Sequence, residues 1–273
     1  MTYSDPNFVA NQYRDASNLQ ARIALHRRFS VDAQSLQRWE FDQLGLSSDA
    51  SVLGLGCGPG YLWAENLDRI PEGWTITLTD ASPGMLREAE DGLGPEGRFE
   101  FRIADARGLP FPMGSFDAVV ANHMLYHVPD LEMALSEIAR VLRPGGTLYA
   151  ATNGKDAHRA LGWMLRVLDP SRPTDDYFRE PLDFSLENGT GQLSPWFSDV
   201  SVRRFRDALV VTEPGPLVDY LVSGRAADDA RRRLTADAFD LRVPELIERL
   251  EGELASSGEI RITKDVGMFV ARK

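Results

Sequence analysis

The chain has 273 residues, 43% of them hydrophobic and 26% charged, enough for one large α/β domain or two small ones around a sizeable core. Forty-one acidic against 30 basic side chains leave a formal charge of −11, which repels phosphate backbones and favours a small molecule over nucleic acid as the partner. A single cysteine, Cys57, excludes an internal disulfide, and no apolar run approaches the roughly 20 residues of a membrane span.

The first thirty residues carry mixed charge without the basic-then-apolar order of a signal peptide, so the expectation is a cytoplasmic protein, monomer or homodimer, with no membrane partner. Residues 16–29 place Leu19, Ile23, Leu25 and Phe29 at helical spacing, and Leu36, Trp39, Phe41 and Leu44 repeat the pattern. Ser30 and Asp32 are the candidate caps between these helices. From Ser51 the texture alternates. Residues 51–55 read as a strand, 61–67 as a helix, 74–78 as a second strand and 83–93 as a helix with Pro83 in its first turn. Strands at 99–103 and 116–121 follow, then a helix over 131–142 closed by Pro144-Gly145-Gly146, then a strand over 147–152. Beyond Asn153 the pattern loosens into a helix at 157–168, a Pro- and Asp-rich loop over 169–183, and strands at 200–205 and 260–271. Between those two strands lie helices over 215–223 and 228–254.

Strands alternating with helices predict an α/β fold with a doubly wound parallel sheet, and such sheets bind ligands at the carboxyl ends of their strands. Four segments fall there: the glycine turn over 56–60, Asp80, Asp105 and residues 122–127. The turn Gly54-Leu55-Gly56-Cys57-Gly58-Pro59-Gly60 does not fit the dinucleotide pattern G-x-G-x-x-G, because Pro59 or Tyr61 falls at the third glycine. Alternating glycines let the backbone pass close to a ligand with no phosphate. Asp80 stands where an acid grips vicinal ribose hydroxyls. Asp105 is placed to accept from an adenine amino group, with the Ala106 backbone NH on the ring and Met85 and Leu86 against the base.

Val52 to Gly60, Leu78-Thr79-Asp80-Ala81-Ser82, Ala104-Asp105-Ala106, Phe116-Asp117-Ala118-Val119 and Val141-Leu142-Arg143-Pro144-Gly145-Gly146 follow in this order. Together they resemble the class I S-adenosylmethionine-dependent methyltransferases, in particular the small-molecule branch similar to the ubiquinone-biosynthesis C-methyltransferases. The likeness covers roughly residues 45–152. It implies S-adenosylmethionine as cofactor, methyl transfer as activity, and a Rossmann-like sheet of seven strands, the last antiparallel. It also implies a cofactor site at Gly56, Cys57, Gly58, Gly60, Asp80, Ala81, Met85, Asp105, Ala106 and Asn122. An N-terminal segment in similar enzymes closes over the cofactor, which makes Tyr13 and Arg14 candidates for its carboxylate. The resemblance departs at Gly54, where such enzymes usually carry an acid that helps hold the cofactor's amino-acid end.

The expected organisation is a helical lid over 1–45 and a methyltransferase domain over 46–273, with a substrate-cap insertion at 207–258. The expected reaction is in-line transfer to an oxygen or carbon of a small organic acceptor. A general base is required only where the nucleophile must lose a proton, and His123 and His127, after the fourth strand, are the candidates. No metal is expected, since His26, His123, His127 and His158 form no ligand spacing with nearby acids. The alternatives are a nicotinamide-dependent oxidoreductase and a non-catalytic cofactor-binding protein of the same fold. Trp163, Met164, Trp196 and Phe197 are expected in the core, and Arg231-Arg232-Arg233 on a solvated helix face answering Asp228 and Asp229.

Overall fold

Hydrophobic patterning of period two separates the two faces of the central strands. Val52 packs with Phe41, Trp63 and Leu78 on one side of the sheet, and Leu53 packs with Val119, Leu135 and Leu148 on the other. The computed structural model describes residues 4, 5, 9, 12–14, 17–94, 97–157, 159–171, 182–234 and 236–273. Its seven strands are β1 (Ser51–Leu55), β2 (Thr75–Asp80), β3 (Phe99–Ile103), β4 (Phe116–Val120), β5 (Leu142–Asn153), β6 (Asp199–Val211) and β7 (Ile260–Arg272). They stand in the order β3-β2-β1-β4-β5-β7-β6. β1 to β5 are parallel, and β7 runs antiparallel between β5 and β6. This is the expected doubly wound, mostly parallel α/β sheet, and its order reverses between β1 and β4, where ligands enter such sheets.

The helices are α1 (Ser17–Phe29), α2 (Leu36–Asp42), α3 (Tyr61–Ala64), α4 (Pro83–Leu93), α5 (Leu131–Val141), α6 (Gly162–Leu168) and α7 (Gly189–Leu193). Between β6 and β7 follow α8 (Pro214–Val222), α9 (Arg225–Arg233), α10 (Ala236–Asp240) and α11 (Arg242–Ser257). Local chemistry starts several of them. Ser82 accepts from Met85 N with Pro83 in the first turn of α4, and Asp130 accepts from Met133 N at 3.0 Å to cap α5.

Several boundaries differ from expectation. The cap of α2 is Ser35, which accepts from Arg38 N at 3.2 Å; Ser30 and Asp32 instead hold α1 to β6, through the Ser30–Leu209 bridge and the Asp32 amide on the Asp207 carboxylate. The stretch 228–254 is three helices rather than one, and residues 61–67 give only one α-helical turn. The strand expected over 200–205 continues to Val211, because β6 and β7 pair through 13 residues each. Their outer ends overhang the sheet. Leu209, Val211, Ile260 and Ile262 there share a second core with Leu25 and Phe29 of α1 and with Leu217, Leu221 and Leu246. Tyr3 and Phe8 of the N-terminal segment, and His158, lie outside the described residues. Among the described residues no helix is long and apolar enough to cross a membrane.

Candidate functional site

At the end of β1 the chain turns sharply through glycines. Gly56 and Gly58 have φ of 61° and 54°, and Gly60 of 76°, all left-handed. A Cβ on Gly56 would lie 2.9 Å from Met124, whereas one on Gly58 would meet nothing within 4 Å, so the turn presents bare backbone to open space. Cys57 N donates to Thr79 O at 2.9 Å, tying the turn to β2. Burial, then the neighbouring Asp80, push the Cys57 thiol far above its usual range, so the residue is small and inert there.

Asp80 closes β2 with its carboxylate aimed at the turn. Oδ2 accepts from Gly58 N at 2.9 Å and Oδ1 from Ser82 N at 2.8 Å. Burial raises its pKa, opposed by these amide bonds. Each oxygen keeps a further lone pair, a geometry suited to two adjacent hydroxyls. Ala81, Met85, Ala104, Asp105 and Ala106 line the same cavity. Leu86 is buried but does not line it. The Asp105 carboxylate is taken by Arg107 at 2.6 Å, and this bond holds it below the usual carboxylate range.

Beyond β4 lies Asn122. Its Oδ1 accepts from Ala151 N at 3.3 Å, while its buried Nδ2 has no partner among the described residues. An orphaned donor in a cavity wall is a group awaiting an acceptor. The next residue, His123, has φ 56°, the only left-handed non-glycine among the described residues. Such backbone costs about 1–3 kcal/mol and persists where function over-determines it. His123 Nε2 lies 3.0 Å from Glu40 Oε1 on α2, and Glu40 is 3% exposed. His127 Nε2 lies 2.8 Å from the Tyr13 phenol, and the Tyr13 carbonyl accepts from Ser82 Oγ at 2.8 Å. Tyr13 is therefore tied both to the loop after β2 and to His127. Arg14 is exposed and outside the cavity wall, while its carbonyl packs against Gly84.

Gly60, like Leu86 and Arg14, stands outside the wall; Gly56, Cys57, Gly58, Asp80, Asn122, His123 and Glu40 line one cavity of about 1400 Å³, larger than the roughly 300–1,000 Å³ of a single-ligand pocket. Its further part is walled by α1, α8 and the overhanging ends of β6 and β7. Trp163, Met164, Trp196 and Phe197 are not in its wall; Met164 and Phe197 are buried in the two cores. Of the arginine run, Arg231 pairs with Asp228 at 3.1 Å and Arg232 with Asp229 at 2.6 Å, but Arg233 reaches Asp169.

Gly54 has a packing reason. A Cβ there would stand 2.6 Å from Leu78 Cδ2 and 3.3 Å from Trp63 Nε1, so the space an acid would need is filled. Two residues of the site were missed in the sequence, Glu40 and Arg22. The signal for both was a charged residue at a helical position flanked by apolar ones.

The unpartnered Asn122 amide, the paired lone pairs of Asp80 and the open backbone at Gly58 fit the hydroxyls and amino-acid end of S-adenosylmethionine. Residues 53–150 match the family model described as a methyltransferase domain. The chain is 34% identical over 159 residues to the ubiquinone/menaquinone biosynthesis C-methyltransferase UbiE of Cronobacter sakazakii, covering 56% of this chain and 59% of that one. It is 36% identical over 116 residues to methyltransferase GfsG of Streptomyces halstedii, covering 41% of this chain and 40% of the other. The chain thus spans about half the length of the curated relatives it matches. Among solved structures, the Haemonchus contortus phosphoethanolamine N-methyltransferase 2 in complex with S-adenosyl-L-methionine superimposes with a TM-score of 0.59 at 17% identity. That match covers all of this chain and 60% of the other, and it supports the fold.

Proposed function

We propose that this chain, whose residues 53–150 are a methyltransferase domain of the class I S-adenosylmethionine-dependent family, transfers a methyl group to a carbon or oxygen of a small organic acceptor. The observation that carries the reading is the Glu40–His123 pair at 3.0 Å, held in a left-handed turn beside Asn122 at the strand edge. When bound, S-adenosylmethionine supplies an electrophilic methyl group on a sulfonium. Asp80 would hold the ribose hydroxyls, the backbone of the glycine turn would lie along the cofactor, and Asn122 Nδ2 would meet its amino-acid end.

Glu40 accepts the Nε2 proton of His123, which fixes the tautomer and leaves the lone pair on Nδ1. Nδ1 then takes the proton of the acceptor, and Glu40 stabilises the imidazolium that results. Such a base serves a hydroxyl or an acidic carbon and is superfluous for an amine that attacks as its free base. The likeness to C-methyltransferases supports carbon. Tyr13 and His127 keep the N-terminal lid over the site and exclude water. The helices between β6 and β7 serve as the cap of the acceptor chamber.

Two measurements test this. Calorimetric titration should detect S-adenosylhomocysteine but not NAD, and binding of NAD alone would overturn the reading. His123→Asn tolerates a left-handed backbone, so it should keep the fold and the cofactor affinity while lowering turnover by about 10²-fold or more. Turnover at the wild-type rate would remove His123 as the base.

A further inference from the structure

Arg22 and His26 of α1, and Ser30 directly after its end, stand four residues apart and all three line the cavity. They face the chamber rather than the core, which takes Leu25 and Phe29 of the same helix. Opposite them the wall is apolar, formed by Leu161, Leu165, Leu209 and Ile262. Arg22 is the unusual member. Its Nη2 donates to Gln12 Oε1 at 2.6 Å and to the Ser223 carbonyl at 3.1 Å, and the Tyr13 phenol is its third acceptor. All three are neutral. Among the described residues no carboxylate pairs with it; Asp228, the nearest in this network, is reached only through Gln12 Nε2 and is itself paired with Arg231. A guanidinium has five N–H donors, and these neutral acceptors bring it no counter-charge.

A buried, permanently charged group without a counter-charge is costly unless a ligand brings one. We propose that Arg22 is the anion anchor of the acceptor chamber and that the acceptor is an apolar molecule carrying one carboxylate. A single guanidinium fork matches a carboxylate in charge and shape, whereas a phosphate dianion calls for more than one cation. Of the other cations in the wall, Lys264 pairs with Asp207, Arg107 with Asp105, Arg27 with Glu65 and Arg225 with Asp229, while Lys155 is exposed; Lys264 also donates to Ser30 Oγ at 2.6 Å. The bonds of Arg22 to Ser223 and, through Gln12, to Asp228 set it against the helices between β6 and β7, on the chamber side of the lid. Describing the ligand as an acceptor rests on the methyl-transfer reading; the anion site itself does not.

The test uses the full chain and four probes, octanoate and 4-hydroxybenzoate with the neutral amide of each, titrated calorimetrically with and without saturating S-adenosylhomocysteine. At least one acid should bind about tenfold or more tighter than its amide, the margin of a charge-assisted hydrogen bond. Arg22→Gln should erase that margin and leave the Kd for S-adenosylhomocysteine unchanged, while Arg22→Lys should restore part of it. Equal binding of acids and amides to the wild type, or a margin that survives Arg22→Gln, would overturn the proposal. So would a matching loss of S-adenosylhomocysteine affinity in Arg22→Gln, which would assign the guanidinium to the cofactor's own carboxylate. Absence of S-adenosylhomocysteine binding alongside a surviving acid preference would sink the methyl-transfer reading and keep the anion site. Should Arg22→Gln fail to fold, the acid–amide comparison on wild type and Arg22→Lys still decides.

Discussion

Glu40 and His123 lie 83 positions apart in the chain and meet because α2 packs beside the mouth of β4. The glutamate is buried on a helix whose next residue, Phe41, is in the core, so it has no solvent to answer its charge. A buried carboxylate is tolerated when a partner compensates it, and His123 is that partner. Glu40 touches no reacting atom in this arrangement; it positions the imidazole. Glu40→Gln should therefore lower kcat by about 10- to 100-fold with little change in KM or in S-adenosylhomocysteine affinity, and Glu40→Asp should recover part of the loss. A purely structural Glu40 would instead raise KM, weaken cofactor binding and lower Tm together. The strand-edge residues Asp80, Asn122 and His123 were legible in the sequence because each directly follows an apolar run. Glu40 was not, since nothing local in Trp39-Glu40-Phe41 says which side of the helix meets β4.

At the scale of elements, β1 and β2 show why the usual acid is missing. Their parallel register sets Gly54 opposite Leu78, and the Leu78 side chain with Trp63 of α3 occupies the space above Gly54. Even one methyl group there comes within 2.6 Å of Leu78 Cδ2. Gly54→Ala should destabilise the fold by roughly 1–3 kcal/mol, the usual cost of overpacking, and Leu78→Val should relieve part of that in the double variant. Denaturant unfolding of the four proteins checks it; additive losses would show that the two positions do not compete for one space. Sequence pattern located the strands and their edge well, because strands buried on both faces give continuous apolar runs. It placed the helices between β6 and β7 less well. Residues 228–254 are amphipathic throughout, and the break after Asp240 falls where Pro244, in the first turn of α11, lacks the N–H that would bond the Asp240 carbonyl.

For the molecule as a whole, the question is what holds the helical lid and cap to the sheet. The junction is the overhang of β6 and β7, where α1 ends. There the Asp207 carboxylate accepts from Val31 N at 3.2 Å, Asp32 N at 3.0 Å, Ala208 N at 2.7 Å and from Lys264 Nζ. Its side chain is fully buried and that of Lys264 nearly so. Burial works against the charge of Asp207, but the Lys264 and amide hydrogen bonds outweigh it and hold its pKa below the ordinary value. A depressed carboxylate contributes stability that is present above the unfolded pKa of about 3.9 and is lost as pH falls through the lower folded value. The clasp should thus release in acid, below about pH 4. Asp207→Asn leaves Lys264 buried without its counter-charge, so at neutral pH the variant should lose roughly 3–5 kcal/mol. Its Tm should then fall less steeply than the wild type's on acidification, because the group that titrates is gone. Tm measured from pH 7 downward checks both halves, and parallel curves would mean that Asp207 carries no part of the acid sensitivity. Because Arg22 and His26 ride on α1 and Ser30 directly follows it, opening this clasp should also disperse this wall of the cavity before the sheet itself unfolds.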